Sequence, residues 1–409
     1  MARVVIIGAG ESGTGAALLA KAKGFEVFVS EMGNIKPSYK AELTDNNISF
    51  EEGEHTLDKI LNADIIIKSP GVPDKAETIV AARGKNIEVI DEIEFGFRYL
   101  TGKIIAISGT NGKTTTTLLA YHLLKEAGVN VALAGNVGES LARKVASKKY
   151  DWYVVEISSY QLDGTNSFRP DIAVLLNITP DHLDRYDYKL ENYVNSKFQL
   201  LSRMRAKDHF IYYKEDPILS KEVANRKIEP VTNAISLGGD VASCAFYDGG
   251  KMNFNINEVK LSISQDETTL KGPHNLINTM AAVSVAVLVG IGKNDIKAGL
   301  KTFKNAPHRL ESIARINNVE FVNDSKATNV DSVIYALGSY SSPLIWIAGG
   351  VDKGNDYGLI REQVKEKVKT LICLGVDNKK LKDYFSGIVP QIMETQSVRE
   401  LVRMALKAA

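Results

Sequence analysis

The chain has almost no cysteine, no excess of either charge and no long apolar run. Of its 409 residues only Cys244 and Cys373 are cysteines, far apart and each in apolar company. That excludes a disulfide-stapled scaffold and a cysteine-based metal framework, and it fits buried thiols in a reducing compartment. Lysine and arginine number 50 against 49 acidic residues, so no overall field draws the chain to nucleic acid or to an anionic membrane. The first apolar run, residues 4–7, meets Gly8 at once, and no later run approaches the length of a membrane span. Short-period repeats and low-complexity segments are also missing. No GxSxG elbow exists, and Ser158-Ser159 has no nearby histidine in triad register, which leaves nucleophilic hydrolysis without support. What remains is a cytoplasmic, globular chain long enough for several domains, each burying its own core.

The most informative segment is Gly109-Thr110-Asn111-Gly112-Lys113-Thr114-Thr115. It follows the apolar run Ile104-Ile105-Ala106-Ile107 and opens a helical pattern, Leu118-Leu119-Ala120-Tyr121-His122-Leu123-Leu124. In a strand, glycine loop and helix of this kind, small residues let backbone N–H groups curl around a polyphosphate. The helix N-terminus adds the positive end of its dipole, Lys113 reaches the outer phosphates, and the Thr114 hydroxyl can ligate Mg²⁺. The spacing departs from the usual GxxxxGK[ST] because Ile107 stands where the first glycine would be.

A second glycine motif opens the chain. Residues 4–7 run into Gly8-Ala9-Gly10-Glu11-Ser12-Gly13, a GxGxxG, and Glu31 closes the next strand 18 positions after Gly13. Alone, this is the dinucleotide fingerprint. The strands expected at residues 4–7, 27–29, 65–67 and 87–90 form only one mononucleotide half before Lys103 starts afresh, so a single nucleotide such as the UDP of a nucleotide sugar suits it better. An NAD(P)-dependent oxidoreductase is the alternative this motif suggests, and a nucleotide-binding module without turnover is a further one.

Strand ends carry the rest of the chemistry. Trp152-Tyr153-Val154-Val155 terminates in Glu156, where a Mg²⁺ ligand would face Thr114. Ala173-Val174-Leu175-Leu176-Asn177-Ile178-Thr179-Pro180 leads to Asp181-His182-Leu183-Asp184-Arg185, which sets His182 among carboxylates as a metal or phosphate ligand. Residues 205–270 look β-rich, a long apolar helix is expected from about 276 to 289, and a third α/β set follows. The fold class expected is α/β with three consecutive domains: Rossmann-like at 1–100, P-loop ATPase-like at 101–305 and Rossmann-like at 306–409. Junctions near residues 100 and 305 would serve as hinges.

With these motifs in view the chain resembles the Mur ligases, the ATP-dependent amino-acid-adding enzymes of peptidoglycan synthesis, from residue 2 to its end. Gly109, Thr110, Asn111, Gly112, Lys113, Thr114 and Thr115 resemble the family's ATP loop. Glu156-Ile157-Ser158-Ser159-Tyr160-Gln161 is similar to its Mg²⁺ strand, and residues 177–185 to its catalytic loop. Ser69-Pro70-Gly71-Val72 and Asn323-Asp324-Ser325-Lys326-Ala327-Thr328-Asn329 are similar to the members that add D-glutamate.

The resemblance implies ligation of D-glutamate to UDP-N-acetylmuramoyl-L-alanine with ATP and Mg²⁺ at two sites. It implies that Gly8, Ser12, Gly13, Glu31, Ser69, Gly71, Asn136, Ser158 and Gln161 bind the UDP-sugar. Asn278, Arg309 and Asp324 would complete the ATP site, and His182, Lys326, Thr328 and Lys353 would meet D-glutamate. Thr114, Glu156, His182 and Lys197 would hold metal, Lys197 as a carbamate, although an unmodified lysine in that helix reads as solvated. Lys113, Glu156, His182 and Lys197 are the implied catalytic set, in a monomer. The family pattern continues beyond a helix such as residues 397–407, so a chain ending at Ala409 is expected to have an incomplete amino-acid pocket.

Overall fold

The computed structural model describes residues 2–327, 329–341, 343–350 and 355–409. It divides into two compact units, Met1–Leu270 with Asn275–Phe303, and Lys271–His274 with Lys304–Ala409.

The first unit holds two sheets. The N-terminal one comprises β1 (Arg3–Ile7), β2 (Glu26–Glu31), β3 (Ser49–Glu52), β4 (Ile65–Lys68) and β5 (Glu88–Asp91), all parallel in the order β3-β2-β1-β4-β5, with short runs rich in Val and Ile making the inner strands β2, β1 and β4. Near-continuous apolar strands are what a sheet covered on both faces requires. Strand β3 has no such run. It is an edge strand, and the sequence reading passed over it.

The larger sheet contains β6 (Lys103–Ser108), β7 (Val131–Gly135), β8 (Trp152–Glu156), β9 (Ile172–Leu175), β10 (His209–Tyr213), β11 (Val231–Ser236), β12 (Ala245–Asp248), β13 (Lys251–Ile256) and β14 (Val259–Ser264). Its order is β14-β13-β12-β11-β10-β9-β6-β8-β7. The β-rich stretch after residue 205 therefore extends the central sheet, and only its last two strands turn antiparallel. The apolar helix, Pro273–Val289, packs with Lys113–Glu126 and Lys293–Thr302 over one face, burying Leu119, Leu123, Met280, Val283 and Leu300.

The junction near residue 100 is clamped. Gly15 brings the helix Glu11–Ala22 so close to Leu141–Ser147 that a Cβ there would lie 2.0 Å from Ser140 Oγ. Arg143 bridges to Glu11, Nε to Oε1 at 2.8 Å, and to Glu42. Glu94, on the connecting helix Glu92–Tyr99, accepts from Asn166 N, Ser167 N and Phe168 N at 2.9–3.0 Å and from Arg98. Against the burial that would raise it, these bonds hold its carboxyl below the usual range. Such a buried, hydrogen-bonded charge ties N-terminal and central domains together in place of a free hinge.

The second unit begins with the antiparallel pair β15 (Glu311–Ile316) and β16 (Val319–Asn323). A parallel sheet follows, β17 (Leu344–Gly349), β18 (Val368–Leu374) and β19 (Gln391–Thr395) in that order. Val364, Leu371, Cys373 and Phe385 lie in its core, so one of the two thiols is packed as expected. Among the described residues no helix is long and apolar enough to cross a membrane.

Candidate active site

Strands β9, β6 and β8 are adjacent and parallel, so their carboxyl ends deliver three loops to one edge of the sheet. The loop after β6 needs its glycines. Gly109 has φ 150° and Gly112 φ 84°, and a Cβ on Gly112 would lie 2.4 Å from Asn278 Oδ1. Lys113 starts the helix Lys113–Glu126, and its ammonium turns back to donate to Gly109 O at 2.9 Å and Thr110 O at 2.8 Å. Thr114 and Thr115 follow in the first helical turn. Asn278, on the apolar helix, accepts from Thr116 Oγ1 at 3.2 Å and donates to Asn275 Oδ1 at 3.0 Å.

Lys197 lies in the helix Leu190–Phe198, whose buried arc also carries Tyr193, Val194 and Phe198. Its side chain is 1% exposed, not solvated. The ammonium donates to Gly109 O at 2.9 Å and sits over the Tyr193 ring, 4.7 Å from its centroid. Two lysines thus converge on one carbonyl. Burial first, and then the charge of Lys113, push the Lys197 amine well below the ordinary lysine range.

Glu156 ends β8 and is 1% exposed. Asn136 Nδ2 donates to its Oε1 at 2.7 Å, while its enclosed Oε2 has no hydrogen-bond partner among the described residues. Just beyond it, Ser158 and Gln161 cap the helix Ser159–Asp163 reciprocally: Ser158 N donates to Gln161 Oε1 at 2.9 Å and Gln161 N to Ser158 Oγ at 3.3 Å. His182 takes a left-handed φ of 52°, with Nε2 3.6 Å from Asp181 Oδ2 and its ring edge-on to Tyr160. Arg185 lies over the Tyr160 ring, 4.1 Å from its centroid, and reaches Pro70 O of the N-terminal domain.

At the N-terminal sheet, Gly13 sits against the β1 turn; a Cβ there would be 1.8 Å from Gly8 O. Ser12 lies in the first turn of the same helix. Ser69 N donates to Ile7 O and its Oγ faces Gly8, bringing the loop that contains Gly71 beside the turn. Glu31 accepts from Ala9 N at 2.7 Å and from Gly33 N at 2.9 Å, so both oxygens are engaged by main chain. In the second unit, Leu310 N donates to Asp324 Oδ1 at 3.0 Å and Lys326 N to His308 O at 3.2 Å. These bonds gather Arg309, Asp324 and Lys326 at the base of one hairpin. Burial raises the Asp324 carboxyl, and the Arg309 charge opposes that rise. Thr328 and Lys353 lie outside the described residues.

Among the described residues no three or more His, Cys, Asp and Glu are arranged to hold a metal ion. The metal set expected from sequence contributes only Glu156 and His182 to such a count. Sequence reasoning gave no part to Tyr193 or Asn275: Tyr193 reaches Thr110, 83 positions away, and Asn275 acts by orienting Asn278.

Three family domains match the chain: the MurD N-terminal domain at residues 3–78, the Mur ligase middle domain at 107–286 and the Mur ligase glutamate ligase domain at 308–409. A UDP-N-acetylmuramoylalanine–D-glutamate ligase of Cytophaga hutchinsonii is 47% identical over 410 residues, covering 100% of this chain and 91% of the relative. The chain belongs to the Mur ligase family. Among other Mur ligases, the enzyme of the same name from Bacteroides fragilis is 46% identical, covering 100% and 92%. Solved Mur ligase structures share the fold: MurC of Thermotoga maritima superposes with a TM-score of 0.64 at 18% identity, covering 98% and 92%, and MurF of Acinetobacter baumannii with 0.63 at 16%, covering 98% and 86%.

Proposed function

We propose that the chain joins D-glutamate to UDP-N-acetylmuramoyl-L-alanine at the expense of ATP, releasing ADP and phosphate, as a step in building the peptidoglycan precursor. The observation that carries this reading is the meeting of Lys113 and Lys197 on Gly109 O at the mouth of a glycine loop, in a chain similar over its whole length to ligases of that name. The near-balance of charge gives no pull toward nucleic acid or an anionic membrane, in keeping with small-molecule partners; the chain is assigned to the cytoplasm as a monomer.

A carboxylate cannot be aminated while its leaving group would be oxide. In the first step, an oxygen of the alanyl carboxylate attacks the γ-phosphorus of ATP, the bond from that phosphorus to the β,γ-bridging oxygen breaks, and ADP departs. The D-glutamate amine then attacks the acyl carbon. Collapse of the tetrahedral intermediate expels phosphate and leaves the amide, the amine proton passing to solvent. Loop N–H groups and the helix N-terminus face the polyphosphate, and Lys113 neutralises charge building on the γ-phosphoryl oxygens.

The donors fit Mg²⁺: Glu156 has an enclosed oxygen with no partner among the described residues, and a buried amine beside a second cation favours conversion of Lys197 to an anionic carbamate. Thr114, Glu156, His182 and Lys197 as carbamate would hold the metal at two sites, where it would neutralise phosphate charge. Gly8, Ser12, Gly13, Glu31, Ser69, Gly71 and Asn136 are assigned to the UDP-sugar, with Ser158 and Gln161 shaping its edge. Asn278, Arg309 and Asp324 are assigned to the remainder of ATP, and His182, Lys326, Thr328 and Lys353 to D-glutamate.

An oxidoreductase would leave Lys113 and the glycine loop after β6 unexplained. Phosphate release from ATP, with the UDP-sugar and with or without D-glutamate, tests the reading. Release dependent on both acceptors is expected, and a nicotinamide-dependent turnover in its place refutes it.

A further inference from the structure

Asn177 follows β9 and opens the segment that leads to His182. Its side chain serves one residue of the phosphate loop twice: Oδ1 accepts from Asn111 N at 2.8 Å, and Nδ2 donates to Asn111 O at 3.1 Å. Only one orientation of the amide satisfies both, so the partners themselves fix which end is oxygen. A carboxylate supplies just the acceptor, and alanine neither.

The surrounding main chain continues the same seam. Leu176 N donates to Ser108 O at 3.1 Å, Thr110 N to Asn177 O at 3.0 Å and Thr179 N to Thr110 Oγ1 at 3.0 Å. Thr110 Oγ1 also lies 3.1 Å from the Tyr193 hydroxyl. The β6–β9 ladder thus runs past the sheet edge, with the phosphate loop on one side and the His182 segment on the other. Asn111 stands between Gly109 and Thr110 on one side and Gly112 on the other, and glycine is the residue that loses most freedom when fixed. An external brace on Asn111 meets that need.

We propose that Asn177 is a positioning residue for ATP: by pinning both main-chain groups of Asn111 it keeps the loop N–H groups aimed at the polyphosphate and in register with the His182 segment. The inference rests on residues 109–115 being the ATP phosphate site, and it adds a residue that touches neither phosphate nor metal.

The test compares Asn177→Ala, Asn177→Asp and Lys113→Ala with the unaltered chain, using calorimetric titration with ATP and with UDP alongside steady-state kinetics. Loss of both bonds in Asn177→Ala is expected to raise the Kd and KM for ATP about tenfold or more, leaving UDP affinity within about twofold. Asn177→Asp keeps the contact with Asn111 N but turns an anion toward Asn111 O and the polyphosphate, so it is expected to bind ATP more weakly still. A merely structural role would reduce the active fraction, and with it kcat, at unchanged KM for ATP. That result overturns the proposal, as does an equal loss of ATP and UDP affinity. If Lys113→Ala weakens ATP binding while both Asn177 variants bind normally, this inference alone falls. If Lys113→Ala binds ATP normally, the phosphate-site reading falls and takes the inference with it.

Discussion

Replacing Glu92 with glutamine should make the protein more stable, and increasingly so as pH rises. Glu92 begins the helix that joins the N-terminal and central domains and is 1% exposed. Its Oε1 accepts from Ala142 N at 2.5 Å, while Oε2 is enclosed without a partner among the described residues. Asp91 beside it is equally buried, and burial raises the two carboxyls to about 7 for Asp91 and about 8 for Glu92. The unfolded chain releases the Glu92 proton near pH 4.5, whereas the folded chain keeps it until about 8. Between those values the native state binds the extra proton, so stability falls as pH rises and levels off above the folded pKa.

Glutamine has the shape of the protonated acid and nothing to ionise. Relative to the original residue its advantage should therefore grow by about 3 kcal/mol between roughly pH 5.5 and 8, at 1.36 kcal/mol per unit. Thermal unfolding followed at both pH values reads this as a widening of the difference in Tm by several degrees. A constant difference, or a glutamine variant that loses stability at the higher pH, would show that the buried carboxylate is ionised and held by its surroundings, and would refute the reasoning.

Lys197→Ala should depress turnover severely while the chain still folds, because the site loses the amine that meets Lys113 on Gly109 O; a small carboxylate in solution should restore part of it by occupying the anionic position. Full activity of that variant would remove Lys197 from the proposed metal site. Gly13→Ala sets a Cβ 1.8 Å from the Gly8 carbonyl, which is backbone and cannot swing aside. UDP affinity should fall at least about tenfold, with ATP affinity kept. Equal binding of UDP by the variant would move the nucleotide-sugar site away from this turn.

The sequence determined the local elements and their punctuation. Apolar runs ending in glycine, a carboxylate or asparagine mark strands whose carboxyl ends carry chemistry, and these signals are local because they depend on residues within a few positions. The three α/β domains and the strand, glycine loop and helix at residues 103–126 were legible for that reason. Tertiary structure alone decided what becomes of charge. Lys197 sits in a polar helix that reads as solvated, yet its arc faces inward because Tyr193, Val194 and Phe198 do. Nothing local in the sequence marks Glu94 and Arg143, which form the clamp across the junction near residue 100. The partners of Asn177 and Glu156 lie 66 and 20 positions away. Desolvation and pairing depend on what packs against a group in space, and strand order, which sets that packing, is fixed only when the whole sheet assembles.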